Sequence, residues 1–77
     1  MAEIEERVRS VVSRDRGIPI DAVTMDSRIE DMHMDSLETA NLLFALEDEF
    51  DFSIPDDEIK LIRSVRDMVA AVERRTA

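Results

Sequence analysis

The apolar residues of this chain recur three and four positions apart, and its β-branched residues never gather into alternating runs. That spacing favours helices with one apolar stripe and argues against a sheet. At 77 residues with no cysteine, the chain lies near the lower limit for a self-sufficient core. Disulfides and thiolate metal ligation are excluded, so helix packing has to brace the fold. Ala, Leu, Glu, Arg and Met, a set with high helix propensity, together supply 35 of the 77 residues. No apolar stretch approaches the roughly 20 residues that span a bilayer, and no signal-peptide pattern opens the chain. The expectation is one domain over residues 1–77, monomeric, cytoplasmic and not inserted in a membrane.

Four helices can be placed. In the first, from residue 2 to 15 or 16, Ile4, Val8, Val11 and Val12 form a single stripe. Glu3, Glu5 and Glu6 open it and Arg14 and Arg16 close it, which suits the helix dipole. Gly17, the only glycine, is a natural C′ residue, and Pro19 forbids continuation. Residues 17–35 then form a long connection in which Ile18, Ile20, Val23 and Ile29 are expected to tuck inward, giving an ordered loop. The second helix covers 36–50, with Asp35 as N-cap and Glu38 completing a capping-box-like pair. Pro55 introduces a short third helix over 56–61. Ser64 caps a fourth, whose stripe of Val65, Met68, Val69 and Val72 ends near residue 74. The fold expected is an all-α four-helix bundle with a short third helix and a long ordered first loop.

At about 100° per residue, the second helix carries two opposed apolar groups. Leu42, Leu43, Leu46 and Phe50 supply a core face. Leu37, Ala40 and Phe44 lie on nearly the opposite side, beside Asn41, Glu47 and Asp48. A bundle this small cannot bury both in one core. The second group is therefore expected to form an exposed apolar patch rimmed by carboxylates, a typical docking surface.

Charge is segregated onto the same region. The formal net charge is −9, yet between residues 29 and 58 there are eleven carboxylates and no Lys or Arg. Nucleic acid and anionic membrane would be repelled by such a surface, and partners with Lys/Arg patches attracted. Acidity also serves solubility alone, so composition leaves both roles open.

Ser36 stands in the middle of this block. With Asp35 the better cap, its hydroxyl is left free at the first helical position, where unpaired N–H groups and the helix dipole favour an attached phosphate. A catalytic role does not fit: the only histidine, His33, lies three residues upstream, and no strained Gly-containing turn presents the serine. Calcium ligation does not fit either, because the EF-hand spacing and glycine are missing and Pro55 interrupts the acids. No catalytic residue and no dedicated metal site is expected.

Several segments taken together resemble free-standing acyl carrier proteins. Ile4-Glu5-Glu6-Arg7-Val8 looks like the family's opening, and Glu30-Asp31 followed by Asp35-Ser36-Leu37 resembles its attachment motif. Ala45-Leu46-Glu47-Asp48-Glu49-Phe50-Asp51 and Ile54-Pro55 resemble the end of the second helix and the start of the third. The resemblance covers nearly the whole chain. It implies 4′-phosphopantetheine on Ser36, donated from coenzyme A by a phosphopantetheinyl transferase, whose thiol carries acyl groups as thioesters between enzymes. The protein itself would catalyse nothing. Partner enzymes that transfer or activate acyl groups would dock through basic patches on Asp35, Leu37, Glu38, Asn41, Phe44, Glu47 and Asp48. The acyl chain would lie near Leu46, Ile54, Ile59 and Ile62.

There are departures. The family usually has Leu-Gly-x before Asp-Ser-Leu, where this chain has Met32-His33-Met34. Asn41 and Lys60 stand where general fatty-acid carriers usually have acids, and the first loop is one residue short near Met25-Asp26. These point to a specialised lipid or secondary-metabolite carrier. A free-standing aminoacyl or peptidyl carrier remains the alternative, as does an acidic docking adaptor without a prosthetic group.

Overall fold

Each apolar stripe becomes one helix face. The computed structural model describes the backbone of residues 2–76 and the side chains of 3–75. Helix α1 spans Ala2–Arg16, α2 Ser36–Phe50, α3 Asp56–Ile59 and α4 Val65–Thr76, with 3-10 turns at Ile20–Ala22 and Glu30–Met32. Helix α1 packs against both α2 and α4. Between them Val8, Val12, Leu42, Leu46, Val65, Met68, Ala71 and Val72 are wholly removed from solvent, and Val11, Leu43 and Val69 nearly so. No polar or charged side chain is buried among the described residues, so the core carries no desolvation cost of that kind.

Two helix ends use the same device. Gly17 adopts φ +65°, and the Ile18 N–H donates to the Ser13 carbonyl at 3.1 Å, closing α1 as its position implied. Asp51 adopts φ 54°, and the Phe52 N–H donates to the Glu47 carbonyl at 3.1 Å. Asp tolerates this left-handed conformation better than most residues with a Cβ. At the start of α4, the Ser64 hydroxyl accepts the Asp67 N–H at 3.3 Å, as a cap should.

The first loop is ordered, but not entirely as expected. Val23 is fully buried, and Ile18 and Ile29 pack against the core. Ile20 does not tuck inward: it opens a 3-10 turn and is 39% exposed. The backbone there is held instead by Arg9, which donates to the carbonyls of Val23 at 2.6 Å and Ile20 at 3.0 Å. Further along, the loop is stitched to the segment between α3 and α4. The Ile29 N–H donates to Arg63 O and the Val65 N–H to Ser27 O, both at 2.9 Å, around an antiparallel bridge of Arg28 and Ser64. The helical pattern gave no hint of this bridge.

Helix α3 ends at Ile59, two residues before the expected end. The chain tightens there: Leu61 N–H donates to Glu58 O at 2.9 Å and Ile62 N–H to Ile59 O at 3.2 Å, three-residue steps in place of four. Ile62 therefore turns inward at 6% exposure while Leu61 is left 72% exposed. At the other end of the chain, α4 continues to Thr76, past the expected stop near residue 74.

Candidate functional site

Asp35 sets the geometry of the α2 N-terminus. Its backbone is extended (φ −82°, ψ −179°), and its Oδ1 accepts the Glu38 N–H at 2.7 Å. Glu38 Oε1 in return accepts the Asp35 N–H at 3.3 Å, completing a capping box with Asp in place of the usual Ser or Thr. The Thr39 hydroxyl donates to the Asp35 carbonyl at 2.8 Å. Such a cap stabilises a helix by about 1 kcal/mol. It also leaves Ser36 unemployed. Ser36 is exposed, and among the described residues neither its hydroxyl nor the N–H groups of Ser36 and Leu37 meet a hydrogen-bond partner. A hydroxyl beside two free N–H groups at the positive end of a 15-residue helix suits an attached phosphodiester.

Just upstream, His33 follows the Glu30–Met32 turn in the left-handed conformation, φ 54° and ψ 43°, and is exposed. The usual family glycine at this position thus has a backbone reason. Histidine tolerates the conformation at a cost that glycine would not incur.

Along α2 the two apolar groups separate. Leu42, Leu43 and Leu46 are buried and Phe50 is half-buried, with the Arg7 guanidinium 4.4 Å from its ring centroid. Leu37 and Phe44 are 70% and 57% exposed. Asn41 and Asp48 are exposed beside them, and Ala40 is half-buried.

The carboxylate rim is less free than its composition suggests. Glu38 Oε2 pairs with Arg16 Nη1 at 3.1 Å. Glu47 Oε2 accepts the Ile54 N–H at 2.5 Å, tying the loop after α2 to the helix. Glu49 lies between Arg7 and Arg14, at 3.2 and 3.3 Å, and hydrogen bonds from Arg7 first and Arg14 second hold its pKa below the usual range. Glu58 pairs with Arg75 and Arg74, whose hydrogen bonds lower its pKa to about 2. Asp48, Asp51, Asp56 and Asp57 have no partner among the described residues. Of the acids expected on the docking face, Asp48 is the one that meets solvent uncommitted; Asp35, Glu38 and Glu47 have structural duties. No group of three or more His, Asp or Glu placed to hold a metal ion occurs among the described residues.

The four residues named for the acyl chain are not brought to one cavity. Leu46 is fully buried, Ile54 is 5% exposed, and Ile59 packs against the same core. Only Ile62 reaches the cavity of about 240 Å³ next to the serine, whose other walls are Arg28, Ile29, Glu30, Met34, Thr39 and Arg63. Met34 and Thr39 bracket Ser36 in sequence, so this cavity opens beside the helix start. Thr39, Met34 and the exposed Leu61 were not singled out from sequence. Thr39 reads there as an ordinary polar helix residue, and Leu61 as one more member of an apolar run.

A small bundle that presents an idle serine at a helix start, next to a cavity and an exposed apolar face, is built as a carrier domain. Comparison with known proteins agrees. Residues 6–72 match the family described as phosphopantetheine attachment site. An acyl carrier protein of Akkermansia muciniphila is 44% identical over 72 residues, covering 92% of this chain and 90% of that one. The crystal structure of an acyl carrier protein from Thermotoga maritima superposes with a TM-score of 0.74 at 28% identity, over 90% of this chain and 81% of the other. The chain belongs to the phosphopantetheine attachment family, among its acyl carrier proteins. It is accordingly a carrier and not an enzyme, and its prosthetic group is 4′-phosphopantetheine, which supplies the thiol that holds acyl groups as thioesters.

Proposed function

We propose that Ser36 is the attachment point, and that this single-domain chain carries acyl thioesters in a specialised lipid or secondary-metabolite pathway of the cytoplasm. The observation that carries the assignment is the free Ser36 hydroxyl: Asp35 does the capping, and Ser36 is exposed with no hydrogen-bond partner among the described residues. The chain's own residues contribute position and charge. Asp35 and Glu38 fix the first turn, the free N–H groups of Ser36 and Leu37 face the place of a phosphate, and Thr39 anchors the cap from within the helix.

Partner docking is assigned to Leu37, Asn41, Phe44 and Asp48, with Asp35 and Glu38 at its edge. A phosphopantetheinyl transferase, and the enzymes that load and unload the thiol, would meet this face with an apolar pocket ringed by Lys or Arg. Support for a dedicated set of partners comes from His33 beside the serine, and from Asn41 and Lys60 where general carriers usually have acids. If a standard fatty-acid ketosynthase or malonyl transferase used this protein as efficiently as a housekeeping carrier, the specialised reading would fall. Mass spectrometry of the protein isolated from its own cells tests the assignment as a whole. The expected result is the arm on Ser36 with an acyl group on its thiol; an unmodified serine would favour an adaptor role.

A further inference from the structure

Eight of the ten cationic side chains already have an acceptor. Seven of the arginines pair with carboxylates, and Arg9 donates to two carbonyls. Lys60 and Arg63 are left: both are exposed, and neither side chain meets an acceptor among the described residues. Of the two, Arg63 is the one on the wall of the cavity beside the start of α2, with Arg28 next to it. Its backbone is fixed, the N–H donating to Asp67 Oδ2 and the carbonyl accepting the Ile29 N–H, both at 2.9 Å. Arg28 is pinned alongside by the antiparallel bridge with Ser64, and its Nε lies 3.1 Å from Glu30 Oε1. The segment is thus held in place while one guanidinium is left unemployed.

Thr39 and Met34 share that cavity with Arg63. Round the helix, Thr39 stands about 60° from Ser36, whereas Leu37 and Phe44 lie on the other side of the serine, about 80–100° away. Ser36 therefore sits between the cationic cavity and the apolar docking face. A phosphodiester on Ser36 adds negative charge to a stretch, residues 29–58, that has eleven carboxylates and no Lys or Arg. The first-turn N–H groups answer part of that charge; no cation of the stretch itself can. We infer that Arg63 is the counter-charge of the prosthetic phosphodiester. Its guanidinium forks the two non-bridging oxygens, with Arg28 shared between them and Glu30. The root of the arm is then drawn towards the segment between α3 and α4, and Leu37 and Phe44 stay clear for a partner. Arg63 is on this account a positioning residue. The inference rests on attachment of the arm at Ser36 and holds whatever the thiol carries.

The test compares the apo and holo proteins, with nothing loaded on the thiol, by nitrogen and phosphorus magnetic resonance. Intact mass of the parent and of Ser36→Ala first verifies the arm and its position; a parent that never gains it would sink the attachment reading and this inference together. With the arm verified, the Arg63 Nε–H resonance should shift between apo and holo, and raised salt should move it back towards the apo position. Arg63→Gln should still take up the arm and melt with the parent, yet move the phosphodiester signal and relax it as a more mobile group. Arg63→Lys should restore part of the parent signal. Lys60→Gln removes the other free cation, which does not line the cavity, and should leave the phosphorus signal where the parent has it. An Arg63 Nε–H unmoved by the arm would overturn the inference while leaving attachment at Ser36 intact. So would an unchanged phosphorus signal in Arg63→Gln. An equal change in Lys60→Gln would overturn it as well, since the effect would then be one of net charge alone.

Discussion

Helix α2 has two apolar faces with opposite fates. Leu42, Leu43 and Leu46 are at most 1% exposed, while Leu37 and Phe44, of the same chemistry and on the same helix, keep more than half of their surface in water. Both faces arise from one backbone and one cap, so the difference lies in what stands opposite. Helix α1 packs over the first face, whose leucines share one core with the apolar residues of α4, and nothing among the described residues closes over the second. An apolar side chain retained where it adds little to folding is a sign of work done elsewhere.

The largest contrast should come from truncating one residue on each face. Leu46→Ala removes a wholly buried side chain and should cost about 2–5 kcal/mol in urea denaturation. Phe44→Ala should leave stability within about 0.5 kcal/mol yet slow modification by the transferase and acyl loading. If Phe44→Ala destabilised as much as Leu46→Ala, the second face would be structural and the comparison would collapse.

The acids beside these faces give a pH signature. Glu58, with its pKa at about 2 in the fold against an ordinary 4.5, adds stability that is fully present above about pH 4.5. That contribution disappears as the pH falls from there through about 2, because protonation breaks the pairs with Arg75 and Arg74. A melting curve series over this window should show a shallower acid loss for Glu58→Gln than for the parent. Identical slopes would mean that the arginine clamp on α3 carries no weight.

A smaller effect separates backbone from surface at the helix start. His33→Gly, at φ 54°, should raise stability by roughly 0.5 kcal/mol, since the left-handed strain relieved slightly exceeds the entropy that glycine adds to the unfolded chain. A loss of stability would show that the imidazole makes contacts that offset the strain. Smallest of all, added salt or Mg²⁺ should raise the melting temperature by easing repulsion among Asp48, Asp51, Asp56 and Asp57. Ion pairs of Glu38, Glu49 and Glu58 weaken in the same salt, which limits the gain. A melting temperature indifferent to both would mean that the acids are not crowded.

Much of this was legible in the sequence because local rules and tertiary packing agree. The three-and-four spacing of Val8, Val11, Val12, Leu42, Leu46, Val65 and Val72 predicts their burial, and Asp35, Gly17 and Ser64 mark helix ends at sites where the backbone uses them. The two faces of α2 follow from the helical turn alone. What escaped depends on contacts distant in sequence. Glu47 reads as a surface acid until its carboxylate is seen to hold the Ile54 N–H, and Glu38 until Arg16 reaches it. Ile20 and Leu61 turn outward because the backbone tightens into three-residue steps, which no hydrophobic pattern encodes. The cavity beside Ser36 depends on the bridge between Arg28 and Ser64, and so needs both loops in place.

Intact mass of the parent and Ser36→Ala proteins, each incubated with coenzyme A and a phosphopantetheinyl transferase, tests the central claim most directly. The parent should gain one phosphopantetheine, and Ser36→Ala, folded and equally stable, should gain none. Modification of Ser36→Ala, or no gain by the parent, would contradict the assignment of Ser36 as the attachment point.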